Sequence, residues 1–122
     1  MGMDIYGSNG NYFRANIWQW RAIIYAMELV EFDVPVEWCF NDGAGLSDQQ
    51  ECNGLADKLA EFLKRWDGRL LTVQTKNFAV CKETGRFVEP GTPDTKSPFS
   101  VERGHLQEFV DFLRECDGFE IC

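Results

Sequence analysis

One histidine, five cysteines and twenty carboxylates set the limits of what this 122-residue chain can do chemically. The histidine is His105, and Cys39, Cys52, Cys81, Cys116 and Cys122 are irregularly spaced with no Cys-x-x-Cys among them. Zinc sites draw several Cys or His ligands from short local spacings, so none is predicted. Nucleophilic catalysis needs a nucleophile, a base and a group that orients the base. Only a pairing of His105 with a cysteine could supply the first two, and no local signature supports one. Cys39, Cys52 and Cys116 stand in apolar stretches, where a thiol behaves as a small core hydrophobe. Reduced thiols and a cytoplasmic setting follow from that reading.

The glycine-rich segment Asn41-Asp42-Gly43-Ala44-Gly45 precedes a helix, the arrangement that welcomes phosphate through free backbone N–H groups and the helix dipole. No lysine follows it, and Asp42, Asp48 and Glu51 would repel an anion, so it matches neither the phosphate loop nor the dinucleotide fingerprint. The same three acids could offer oxygens to Mg²⁺ or Ca²⁺, but not at EF-hand spacing. Asp48 and Glu51 also have a plain use as acids in a first helical turn. No cofactor and no metal is therefore expected. A small carboxylate- or metal-dependent enzyme, with Asp42 and Glu51 as first suspects, stands as the alternative.

Charge is the stronger signal. The chain carries a net charge of −8, and residues 22–57 hold no Lys or Arg beside Glu28, Glu31, Asp33, Glu37, Asp42, Asp48, Glu51 and Asp57. Nearly the whole excess comes from that stretch. Such a field draws basic partners and repels nucleic acid. Glu108, Asp111 and Glu115 add a ridge at i, i+3 and i+7 of a third helix, spaced about 5–6 Å apart. That spacing is close to that of phosphates along a nucleic-acid strand. The first seven of the eight acids in 22–57 and these three form the candidate partner-binding set. Tyr6, Tyr12, Phe13, Arg14, Trp18, Trp20 and Arg21 make an aromatic and arginine-rich opening of the kind found at binding hot spots. Most of them are expected to pack, with Arg14 and Arg21 pairing with the acidic segment.

The elements that must position these residues read as an α+β chain, a single domain over 1–122, with three helices packed on a small, mainly antiparallel β-sheet. A first helix over Ala15–Val30 is apolar around most of its circumference. Phe32–Phe40 alternates apolar and acidic residues around Pro35, as an edge strand or extended segment does. Ser47 opens a second helix with Gln50 at capping-box spacing, and Gly68 closes it. Leu70–Val88 reads as a sheet region with turns at Lys76-Asn77 and Glu83-Thr84-Gly85. Residues 89–98, with three prolines, read as a surface loop. A third helix begins near Ser100 with Leu106, Phe109, Val110 and Leu113 toward the core, and Phe119–Ile121 forms a last strand. No apolar run approaches the roughly 18 residues of a membrane span.

Four stretches together resemble a group of small, uncharacterised proteins from bacteria and their phages. They are Met1-Gly2-Met3-Asp4-Ile5-Tyr6-Gly7, Tyr12-Phe13-Arg14 with Trp18-Gln19-Trp20-Arg21, Phe40-Asn41-Asp42-Gly43-Ala44-Gly45, and Phe112 through Ile121. The resemblance implies expression in a bacterial or phage cytoplasm and brings no activity or catalytic residue with it. Charge and the lack of a catalytic constellation lead to a non-catalytic acidic protein that docks on a basic groove of a larger protein. In a phage setting this describes an inhibitor of bacterial defence, anti-CRISPR-like, that mimics nucleic-acid charge. Direct nucleic-acid binding and membrane association are not expected. A homodimeric assembly subunit, built on the apolar first helix and the short end strands, is the remaining alternative.

Overall fold

The computed structural model describes residues 2–40, 43–73, 79–81, 87–88 and 95–122. The architecture is α+β, with every strand pair antiparallel. Strands β1 (Gly2–Gly7) and β2 (Tyr12–Asn16) form a hairpin. Asn9-Gly10 makes its turn, with Gly10 at φ +95°, a conformation open to glycine and costly for most side chains. Met3, Ile5, Phe13 and Ala15 face inward, while Tyr6, Tyr12 and Arg14 face solvent. Asn16 ends β2 and caps α1 (Ile17–Leu29), its side chain accepting from the Gln19 N–H while the Gln19 side chain accepts from the Asn16 N–H. The first helix thus starts two residues later than the sequence reading placed it, because Ala15 is needed in the sheet.

After α1, Glu31 adopts φ +63° and turns the chain. The expected strand over Phe32–Phe40 is not formed. Residues 32–35 form no regular element, with Pro35 extended, and Val36–Cys39 close a short 3-10 turn. That turn drives Trp38 into the core, against Phe119 at 5.4 Å, with its carbonyl accepting from Trp20 Nε1 at 2.8 Å. Burial of one indole therefore overrides the alternating pattern. Cys39, expected among core residues, is left exposed by the same turn.

Helix α2 (Gln49–Arg65) is capped by Asp48, not Ser47, through the Glu51 N–H at 2.7 Å. It ends at Trp66, two residues before the expected glycine. Arg103 takes over there, donating to the carbonyls of Leu63, Trp66 and Gly68. Strand β3 (Leu70–Thr72) pairs with β7 (Ser100–Glu102), so residues 100–102 are strand and α3 begins at Arg103, running to Glu115. A separate small sheet joins β4 (Ala79–Cys81) to β5 (Phe87–Val88) and to β6 (Thr95–Lys96). β6 thus falls inside the segment read as loop. The expected turns at 76–77 and 83–85 lie outside the described residues. Strand β8 (Phe119–Ile121) pairs with β1, giving the order β2-β1-β8.

The helices bury their apolar sides against one another and against strands β1, β2, β3 and β7. Trp20, Ala22, Ile23, Ile24, Ala26 and Met27 of α1 are all buried. Most of the apolar surface of the first helix is therefore covered by its own chain, while Ile17 and Leu29 at its ends stay exposed. Cys52, Leu55, Leu59 and Leu63 of α2 join Leu106, Phe109, Val110 and Leu113 of α3 in the same core. No helix among the described residues is long and apolar enough to cross a membrane.

Candidate functional site

The glycine-rich segment before α2 turns out to serve the sheet. The Gly43 N–H donates to the Ile121 carbonyl, the Ile121 N–H to Ala44, and the Phe119 N–H to Leu46. Residues 43–46 therefore cover the edge of β8 that β1 leaves free. A Cβ at Gly45 would lie 1.9 Å from the Phe119 carbonyl oxygen, so only glycine lets the two backbones approach. The loop is a lid on an edge strand, bound there through the Gly43 amide and the Ala44 and Leu46 carbonyls. Asp42 lies outside the described residues. Among those residues, no three His, Cys, Asp or Glu side chains converge as metal ligands do.

The acids of the 22–57 stretch divide by partner. Glu28 approaches Arg21 at 3.5 Å, and Asp57 accepts from Arg114 at 2.9 Å across the α2–α3 seam. Glu31, Asp33, Glu37, Asp48 and Glu51 are exposed, and none forms an ion pair among the described residues. Arg14, expected to reach this segment, approaches Asp4 across the β1–β2 hairpin at 3.8 Å instead. Tyr12 also donates to Asp4, and that bond holds the phenol proton above its ordinary range. On α3, Glu108 meets His105 at 3.3 Å and Asp111 accepts from Gln107 at 3.0 Å. Glu115 is exposed.

Two grooves run along the outer side of α2, between it and the chain from Leu29 to Trp38. One, about 500 Å³, is bordered by Leu29, Glu31, Asp57, Glu61 and Arg65. The other, about 380 Å³, has Phe32, Pro35, Trp38, Leu46 and Leu55 as apolar walls and Asp33 and Glu51 as acids. Both include Lys58, so they meet there. Of the predicted set, Glu31, Asp33 and Glu51 come together along these grooves. Glu28, Glu37, Asp48, Glu108, Asp111 and Glu115 line neither. Asp48 still acts on the rim, because its carboxylate beside Glu51 raises the Glu51 pKa through a hydrogen bond and like charge.

Among the described residues no cysteine contact to His105 is found. Its ring stacks on Phe13 at 4.9 Å, and its Nε2 is buried without a hydrogen-bond partner among those residues. Cys52 and Cys116 are both buried with sulfurs 3.5 Å apart. Burial pushes the Cys52 thiol up to about 12, with the Cys116 thiol adding to the effect, so it stays protonated and unreactive at neutral pH.

Sequence reasoning missed the apolar walls of the groove and Gly54 on α2. A glycine at an exposed position in mid-helix was the available signal. No protein-family model matches the chain, and neither a curated protein nor a solved structure shows significant similarity to it.

Proposed function

We propose that the chain is a non-catalytic binding protein that sets an acidic face against a basic surface of a larger protein. The observation that carries this is the set of exposed carboxylates bordering the two grooves, Glu31 and Asp33 after α1 and Glu51 on α2, left without ion-pair partners among the described residues. Natural surfaces intersperse charges of both signs. Here Lys58 is the one lysine or arginine of the two grooves that no acid pairs among the described residues. Complementary potential steers association and fixes orientation. In the bacterial or phage setting that the sequence resemblance implies, the fitting partner is a defence protein whose basic groove holds nucleic acid. The chain would then inhibit it by occupying that groove, as an anti-CRISPR protein does.

The test is affinity for the partner recovered from a bacterial host with the tagged chain, measured between roughly 50 and 500 mM salt. Affinity should fall with salt, and the triple variant Glu31→Gln, Asp33→Asn, Glu51→Gln should bind more weakly with a shallower salt dependence. A complex indifferent to both changes would remove the electrostatic reading.

A further inference from the structure

Gly54 stands in the interior of α2, exposed, and a Cβ built there meets no atom of the described residues within 4 Å. A helix-interior glycine costs about 1 kcal/mol relative to alanine. At Gly45 and Gly118 the chain's own backbone explains the glycine, since a Cβ would come within 3 Å of a neighbouring main chain. At Gly10 and Gly43 a positive φ explains it. Neither reason applies at Gly54. Gly104, the other helical glycine with open space above it, sits in the first turn of α3, where the interior penalty does not operate. Among the described residues, then, nothing accounts for Gly54, and the helix backbone there is open to close approach.

Its surroundings say what that would be. Gly54 belongs to the 380 Å³ groove, between the walls of Phe32, Pro35 and Leu46 and beside Asp33 and Glu51. Beyond the groove, Val36 is 68% exposed and Phe40 58% exposed, which extends the apolar surface. Lys58 is the single cation of this groove, against two acids. A second copy of a chain of net charge −8 would set acid against acid, and nucleic acid would be repelled.

We infer that the groove over Gly54 receives a segment of a partner protein in which an apolar side chain lies next to lysine or arginine, the apolar group resting on the bare helix backbone and the cation between Asp33 and Glu51. The inference rests on the acidic-docking reading and gives it a place and a partner chemistry. The apolar anchor supplies affinity in a desolvated pocket, and the flanking charges set orientation.

The experiment is parallel panning of a random twelve-residue peptide library on the wild-type chain, on Gly54→Leu and on Asp33→Asn/Glu51→Gln, each first shown to melt cooperatively. Leucine at 54 fills the groove, and as a better helix former than glycine it should not lower stability. The wild type should enrich sequences with an aliphatic or aromatic residue beside Lys or Arg. Individual peptides should bind Gly54→Leu roughly tenfold or more weakly, and the double charge variant should lose the basic preference while keeping the apolar one. If the same basic–apolar sequences bind Gly54→Leu undiminished, the groove inference fails and the acidic reading stands. Enriched sequences without Lys or Arg would overturn the acidic reading and keep the groove. No enrichment on the wild type overturns both.

Discussion

Helix α2 presents two sides that obey opposite rules. Toward α3 its polar groups are answered from within the chain. Gln49 donates to the Leu113 carbonyl at 2.8 Å and accepts from the Asp117 N–H at 2.7 Å, and Asp57 meets Arg114. Beneath them Cys52, Leu59 and Leu63 are sealed against α3 and α1. Toward the chain from Leu29 to Trp38, Glu31, Asp33 and Glu51 form no ion pair among the described residues, a glycine lies bare, and apolar walls stand open. One side is consistent with stability alone. The other gives up helix propensity and leaves like charges together, and departures of that kind concentrate where a protein meets something else.

The contrast can be broken most forcefully at Leu59, fully buried on the sealed side. Leu59→Ala should lower stability in denaturant unfolding by about 2–5 kcal/mol, because the cavity cannot collapse between packed helices. A loss below 1 kcal/mol would mean that the seam is loose. Next comes Gln49→Ala, which removes the bonds to the Asp117 N–H and the Leu113 carbonyl near the α3 terminus and should cost about 0.5–1.5 kcal/mol. On the open side the sign reverses. Gly54→Ala should raise stability by roughly 0.5–1 kcal/mol and the melting temperature with it. If it destabilises, the space above Gly54 is occupied by this chain and the contrast collapses.

The smallest effect sharpens the picture electrostatically. Glu51 should hold its proton to higher pH than an ordinary glutamate, because the Asp48 carboxylate lies beside it. A folded pKa raised in this way means that the contribution of protonated Glu51 is present at acid pH and disappears as pH rises through the folded value. Asp48→Asn should return Glu51 to the ordinary range in an NMR titration. An unchanged Glu51 would show that the two carboxylates do not interact.

Periodicity made α2, α3 and β8 legible, because each buries one side against a single core and the apolar spacing records it. The β1–β2 hairpin went unread, although Asn9-Gly10 and the alternation of Met3, Ile5, Phe13 and Ala15 carry its signal, because its aromatics read as easily as core or contact residues. Phe32–Phe40 misled for a physical reason, since the position of Trp38 is decided by Trp20 and Phe119 from distant parts of the chain. The candidate site shows the same division. The sequence marks the acids of 22–57, yet which of them are neutralised depends on partners such as Arg114, 57 positions from Asp57. Local spacing holds no trace of that pairing. The bare backbone at Gly54 has meaning only once the groove around it exists.

The order β2-β1-β8 has a consequence for synthesis. The middle strand of this sheet leaves the ribosome first and one of its flanks last, because Ile5 pairs with Ile121. At about 5–20 residues per second, the unfinished sheet waits several seconds or more for its third member. Throughout that interval β1 exposes a row of unpaired amides and carbonyls, so a translation stall before residue 119 would leave a nascent chain inviting intermolecular β-pairing.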